Sequence, residues 1–301
     1  MFIGKVLFKL EDEVKELKKK KREFPKYKRK NDKNIFALNK SYSGIELNLN
    51  KRILVLQSLG QISFRGYRNI KTIDGRMINV TITKENTGKY YANILFELPE
   101  VKKKKATSIV GIDVGIKKLI TLSDGTDYPN NKFIFKYEKK IEKMQRELSR
   151  KEKGSNNYYK YKQKINIVYI KLVNSRKCYI NQITKEIVDN YDIIACERLE
   201  TKKMIMNGNL SKKIFDASFA EIIKNLEKKT KLNGKYFYQV DTYYPSSQLC
   251  SKCGNRNKKY KDLGERLYLC EKCGNKLDRD FNASVNIMFE GLKMHMKKEY
   301  N

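Results

Sequence analysis

Four cysteines and a few acids carry whatever chemistry this chain can do. Cys250 and Cys253, then Cys270 and Cys273, form two Cys-x-x-Cys pairs with sixteen residues between them. Gly254 and Gly274 follow the second cysteine of each pair and relieve the bend there. Two pairs at matching spacing fit a zinc ribbon, in which four thiolates close a tetrahedral Zn²⁺ site with Zn–S of about 2.3 Å. Such a site is structural. Asp278-Arg279-Asp280 lies four residues past Gly274, so the metal knot abuts a pair of acids. Two further acids interrupt apolar runs. Asp113 sits within Ser108 to Leu122 (SIVGIDVGIKKLITL), and Glu197 ends Asp192 to Glu197 (DIIACE). An unpaired acid in a buried strand costs on the order of several kcal/mol. It persists beside something positive, most simply a metal ion. Carboxylate oxygens suit hard divalent cations.

The elements that must position these groups follow from the hydrophobic period. In residues 1–33, Leu7, Leu10, Val14 and Leu17 recur at helical steps, and Lys18 to Arg22 are five consecutive cations. Pro25 ends that helix. It reads as a solvated tail or as a phosphate-contacting arm. Residues 34–98 alternate with period two, with turns at Asp74-Gly75 and Asn86-Thr87-Gly88, and predict a small antiparallel β-barrel. Phe64, Arg65, Tyr67 and Arg68 mix aromatic and cation, which suits single-stranded nucleic acid or is ordinary strand composition.

Val101 to Lys105 is a charged linker. Beyond it, Ile109 to Ile112 predicts a buried strand, Lys118 to Leu122 its hairpin partner, and Asp124-Gly125 the closing turn. Ile141, Met144 and Leu148, then Ile165, Val168, Leu172, Ile180, Ile183 and Ile187, predict an α-hairpin broken at Gly154-Ser155-Asn156. Residues 214–232 predict one further helix with Phe215, Ile222 and Leu226 inward, and Tyr236 to Val240 a last strand before the ribbon. His295, the sole histidine, is expected to be solvated, and Cys196 to be a small buried apolar residue. Ser246 and Ser247 are read as phosphate contacts or turn residues.

Composition narrows the partners. Lys and Arg number 66 against 34 Asp and Glu, a net charge of +32 that calls for a polyanion. The basic residues spread along the whole chain, which favours a broad nucleic-acid surface over a membrane anchor. No apolar run approaches a membrane span and the N-terminus lacks a signal-peptide core, so a cytoplasmic protein, nucleoid-associated in a prokaryotic host, is expected.

The order of elements matches the ribonuclease H-like plan, in which acids from the first strand, the fourth strand and the last helix converge. Gly111-Ile112-Asp113-Val114-Gly115, Cys196-Glu197-Arg198-Leu199 and Asp278 to Ser284 resemble the three RuvC motifs of the TnpB (OrfB) family. These transposon-encoded proteins are related to the type V CRISPR effector nucleases. Gln145 to Arg150 with Gly154-Ser155-Asn156 is similar to the helical hairpin between the first two motifs. Phe24 to Lys28 and Gly88 to Ala92 resemble the borders of the family's β-barrel wedge domain.

The resemblance implies an α/β fold with an RNase H-like (RuvC) nuclease domain, an inserted four-cysteine zinc ribbon and a preceding wedge. The implied limits are 24–105 for the wedge, 106–241 and 277–301 for the two parts of the nuclease domain, and 242–276 for the ribbon. Residues 1–23 are expected to be the residual last helix of a recognition segment that is otherwise absent. The resemblance further implies an RNA-guided DNA endonuclease of a mobile genetic element, with a guide RNA from the transposon end and target DNA as partners. Asp113, Glu197 and Asp280 match the catalytic, Mg²⁺-binding positions, and Cys250, Cys253, Cys270 and Cys273 the zinc ligands. Asp278 orients Arg279 or the turn. Two rival readings stand beside this one: a nucleic-acid-binding protein without turnover, such as a guide-dependent repressor or a truncated remnant, and an RNA-independent nuclease.

Overall fold

Alternating apolar residues make the first third of the chain a set of short strands. The computed structural model describes residues 35–39, 44–57, 59–65, 75–84, 89–199, 211–261 and 265–299. The chain divides into two units, Met1–Pro99 and Glu100–Asn301. The N-terminal helix, the Phe24-Pro25 border, Tyr67, Arg68 and the turn at residues 86–88 lie outside the described residues.

The first unit holds β1 (Ile35–Asn39), β2 (Ile45–Asn48), β3 (Ile53–Leu56), β4 (Gly60–Ser63), β5 (Arg76–Lys84) and β6 (Tyr90–Glu97). They form two three-stranded antiparallel sheets, ordered β1-β5-β6 and β2-β3-β4. Ile45, Leu54, Leu56, Met77 and Val80 are buried between them, with Ile62, Ile82, Ile94 and Phe96 packed alongside. Among the described residues no ladder joins the two sheets, which share one core. Phe64 packs against this core while Arg65 stays exposed, so this aromatic serves the interior.

The second unit is built on a five-stranded mixed sheet, ordered β11-β10-β7-β8-β9. Its strands are β7 (Ile109–Val114), β8 (Lys118–Leu122), β9 (Asp127–Pro129), β10 (Ile193–Glu197) and β11 (Tyr236–Val240). β10 pairs in parallel with both β7 and β11, and the β7–β8–β9 ladders are antiparallel. Side chains alternate across a strand. Val110, Ile112, Ile194 and Cys196 therefore face one way, into a core with Ile180, Ile187, Ile222 and Leu226. Those partners come from α2 (Asn156–Asn190) and α4 (Phe219–Leu232). Gly111, Asp113, Ala195 and Glu197 face the other way, toward α5 (Arg279–Glu299).

The expected hairpin is α1 (Phe133–Ser149) and α2, joined on Ile141, Val168 and Leu172. Ser155 caps α2 by accepting from the Tyr158 amide at 3.1 Å. The expected helix over 214–232 is two helices, α3 (Ser211–Ala217) and α4, because Ser218 takes a left-handed φ of 54°. That bend turns Phe215 outward, leaving it 57% exposed under the Arg176 guanidinium, which lies 5.4 Å from the ring centroid. Ile214 and Phe219 take the core positions instead. His295 is half-buried and not fully solvated: its Nδ1 lies 2.9 Å from the Tyr238 hydroxyl, and Tyr236 packs edge-on at 4.6 Å. No described helix is long and apolar enough to cross a membrane.

Candidate active site and zinc ribbon

The β7–β10 register sets the first two acids side by side. Ile193 pairs with Ile109 and Cys196 with Ile112, an offset of 84, so the next step puts Glu197 opposite Asp113. Parallel neighbours in register lie about 4.8 Å apart and point to the same face. The third acid arrives on α5, which crosses this face where the strands carry almost no side chain. A Cβ on Gly111 would stand 2.0 Å from the Ser284 carbonyl oxygen and 2.4 Å from the Met288 nitrogen. A Cβ on Gly291 would stand 2.3 Å from that of Ala195. Gly111 and Gly291 thus let helix and sheet touch backbone to backbone. From Ser284 back to Asp280 is about 6 Å of helix rise, and from Gly111 on to Asp113 is about 6.6 Å of strand. Asp280 therefore begins the helix above the end of the strand that carries Asp113.

The charges report the same approach. Burial pushes the Asp113 carboxyl well above its ordinary 3.8, and the negative charges of Glu197 and then Asp280 push the same way, while Arg279 opposes them. Burial also raises Glu197, opposed by a hydrogen bond that the Ser246 hydroxyl donates to its Oε1. Ser246 is buried and its hydroxyl is directed at Glu197.

Asp280, 9% exposed, is held by two guanidiniums, Arg266 Nη1 at 3.1 Å and Arg279 Nη2 at 3.4 Å. Asp278 caps α5: its Oδ1 accepts from the amides of Asp280 at 2.9 Å and Phe281 at 3.1 Å. The reading of Asp278 as a turn residue is the one the geometry carries.

The four cysteines form the other cluster. Cys250 Sγ lies 3.7 Å from Cys273 Sγ, and Cys253 Sγ 3.6 Å from Cys270 Sγ. A tetrahedron with Zn–S of about 2.3 Å has edges of about 3.8 Å, so the sulfurs stand where a zinc ion would hold them. Among the described residues they are the one set of His, Cys, Asp or Glu ligand atoms all within 4.8 Å of one another. The two pairs build the same knuckle twice. The Cys250 amide donates to Asn255 O and the Cys270 amide to Asn275 O, each at 2.9 Å, with Gly254 and Gly274 at φ of 69° and 67°. Backbone amides from Cys273 and then Lys272 hold the Cys270 thiol down at about 6. Tyr260 and Tyr268 stack beside the sulfurs, centroids 4.4 Å apart, and β12 (Leu267–Leu269) pairs with β13 (Lys276–Asp278) to finish the ribbon.

Two asparagines couple the ribbon to α5. Asn282 Nδ2 donates to Leu249 O at 2.6 Å, and its Oδ1 accepts from the Ser251 amide at 2.9 Å. One turn on, Asn286 Nδ2 lies 2.8 Å from both Ser246 O and Leu249 O. The first knuckle is thereby bolted to the helix that begins with Asp280. Gly111, Gly291, Ser246, Arg266, Asn282 and Asn286 were not singled out by spacing. Gly111 and Asn282 carry a sequence signal in the Gly111 to Gly115 and Asp278 to Ser284 segments, and Ser246 reads only as a phosphate contact or turn residue.

The chain is similar to known proteins. The family model for OrfB_IS605, a probable transposase, matches residues 85–207, and that for the Cas12f1-like TNB domain matches residues 219–287. The chain is 32% identical over 213 residues to a "Putative RNA-guided DNA endonuclease" of Streptomyces pristinaespiralis, covering 71% of this chain and 52% of that protein. It is 31% identical over 300 residues to "Putative RNA-guided DNA endonuclease InsQ" of Escherichia coli K12, covering 94% of this chain and 72% of that one. The chain therefore spans about half the length of the first relative and under three quarters of the second. Among solved structures, one titled "Cryo-EM structure of the Cas12f1-sgRNA-target DNA complex" matches its fold with a TM-score of 0.57 at 20% identity, covering 91% of this chain and 68% of that one. Motif order, ribbon, mixed sheet and the likeness to InsQ over 94% of this chain agree, and the chain belongs to the TnpB (OrfB) family of transposon-encoded proteins.

Proposed function

We propose that this protein is an RNA-guided DNA endonuclease of a mobile genetic element, hydrolysing phosphodiester bonds at Asp113, Glu197 and Asp280. The observation that carries the reading is the convergence of these three acids on the sheet face under α5, in a chain of net charge +32. Repelling carboxylates kept side by side suit a divalent cation, and an all-oxygen donor set suits Mg²⁺. Bound there, Mg²⁺ would supply water activation and charge neutralisation at the leaving oxygen. The chain's own residues do the rest. Ser246 orients Glu197, the cap at Asp278 fixes the first turn of α5, and Arg266 and Arg279 hold the Asp280 carboxylate in place. Zn²⁺ on Cys250, Cys253, Cys270 and Cys273 keeps the ribbon folded against that turn.

The domain limits of this reading are 24–105 for the wedge, 106–241 with 277–301 for the nuclease domain, and 242–276 for the ribbon. Guide RNA and target DNA are the partners that the names of the relatives support. The test is to purify the protein with its bound nucleic acid, sequence the RNA, and offer DNA matching it in Mg²⁺ or EDTA. One dominant transposon-end RNA and Mg²⁺-dependent cleavage of matched DNA are expected. Absence of a dominant RNA, or cleavage that persists in EDTA, would sink the reading.

A further inference from the structure

One exposed aromatic side chain stands in the turn that follows β11, the strand paired with the one ending in Glu197. Tyr243 is 88% exposed, more than any other large apolar or aromatic side chain among the described residues. Its neighbour Tyr244 packs against Ala195, Val240 and Ile287. Tyrosine rings ordinarily bury most of their area, so a fully presented ring is unspent contact surface.

The segment presenting it is short, and both its ends are fastened to Glu197. On the near side Val240 pairs with Glu197 in the β10–β11 ladder, and the Arg198 amide donates to Val240 O at 3.0 Å. The Thr242 hydroxyl donates to Arg198 O at 2.9 Å. On the far side the Ser246 hydroxyl donates to Glu197 itself, and the Tyr244 hydroxyl to Asn286 O at 3.3 Å. Within the turn, Asp241 accepts twice, from the Tyr243 amide at 2.8 Å and, through its carbonyl, from the Tyr244 amide at 3.0 Å. The turn is therefore fixed, and its apex holds an aromatic face in water within three residues of both anchors on the Glu197 strand end.

We infer that Tyr243 is a stacking platform for one unpaired nucleobase of the strand entering the carboxylate site. The inference rests on the nuclease reading of that site. A base has a π-face whatever its identity, so a fixed aromatic ring grips a single strand without reading its sequence. The +32 charge of the chain draws the phosphates, and the ring sets the position of a base relative to the acids. Tyr243 touches the base and not the reacting atoms, so it is a positioning residue.

The test uses the full chain with its co-purified RNA and a DNA target carrying an abasic site at successive positions around the cut. For the wild type, one abasic position is expected to lower kcat/KM by about 5- to 140-fold, the range for one stacked base. Tyr243→Ala should lose a similar factor on intact DNA and nothing further at that abasic position. Tyr243→Phe should retain both the rate and the abasic sensitivity. Zinc content and Tm should match the wild type in both variants, since the ring packs on nothing. The chain has no tryptophan, so Tyr243→Trp adds a single reporter whose fluorescence single-stranded DNA should quench. Wild-type kcat/KM in Tyr243→Ala, or an undiminished abasic penalty in that variant, overturns the inference. If the wild-type complex cleaves nothing, the nuclease reading falls by itself. Quenching then decides Tyr243 alone, and its absence overturns the platform.

Discussion

Replacing Gly111 by Ala tests whether close contact between helix and sheet is what assembles the three acids. The added Cβ would lie 2.0 Å from Ser284 O and 2.4 Å from Met288 N, both backbone atoms of α5. Ordinary contact begins at about 3.4 Å, so the carbonyl must retreat by about 1.4 Å (3.4 − 2.0). No side-chain rotation relieves a clash with backbone, so the helix itself moves. Overpacking of this kind costs about 1–3 kcal/mol, a fall in Tm of about 2–12 °C for a unit of this size. Asp280 sits one turn before Ser284 and shares the shift. A displacement of about 1 Å in a reacting constellation costs about 100-fold in rate. The expected variant is thus folded, modestly destabilised and at least about 100-fold slower in guided DNA cleavage. Val110→Ala is the control. It truncates a buried side chain on the opposite face of the same strand, so it should lower Tm while cleavage stays within a few-fold. Wild-type Tm and rate in Gly111→Ala would refute the reasoning. So would an equal loss of cleavage in Val110→Ala at matched Tm.

Other perturbations follow from the same geometry. Cys270→Ser should remove zinc and, by loosening the knuckle bolted to Asn282 and Asn286, lower cleavage even where nucleic-acid affinity survives; metal analysis beside rate measurement checks this, and full activity without zinc would make the ribbon an accessory. Asn286→Ala removes two donated hydrogen bonds and takes from the Ser246 carbonyl its Asn286 donor, while Asn282 still serves Leu249 O. It should cost about 1–3 kcal/mol in chemical denaturation, with cleavage falling as Ser246 loosens from Glu197. The raised carboxyls give a pH signature. A folded pKa above the unfolded one contributes stability that is full below the ordinary values of 3.8 for Asp113 and 4.5 for Glu197 and is lost as pH rises through the raised folded values. The metal-free Tm should therefore fall across that window. Mg²⁺ should restore Tm above it and add little at about pH 4, where protons already neutralise the site. A metal-free Tm flat across the window would contradict the crowding of the acids.

What the sequence discloses here is local. The cysteine pairs are legible because both halves of each knuckle lie within six residues, and the acids because each breaks an apolar run. The helices α1 and α2 follow from period and β7, β8, β10 and β11 from short apolar runs, while β9 has no such signal. What escapes is set by partners far apart in the chain. Gly111 reads as one more small residue of a strand until Ser284 and Met288 are laid against it. Ser246 reads as a phosphate contact or turn residue until Glu197, 49 positions earlier, accepts its hydrogen bond. Phe215 fits a helical stripe, but one left-handed residue, Ser218, turns the helix and exposes it. His295 looks solvated in a lysine-rich tail because Tyr236 and Tyr238 come from a strand more than fifty residues away. The strands β1 to β6 alternate, and alternation fixes which side chains face inward and not how the strands join.

The central claim is that Asp113, Glu197 and Asp280 form one metal-dependent nuclease centre. Single-turnover cleavage of RNA-matched DNA by Asp113→Ala in Mg²⁺ tests it most directly. The account predicts a rate lower by about 10²–10³-fold or more, with DNA binding held within a few-fold and zinc content unchanged. Cleavage at the wild-type rate would place the chemistry elsewhere in the chain.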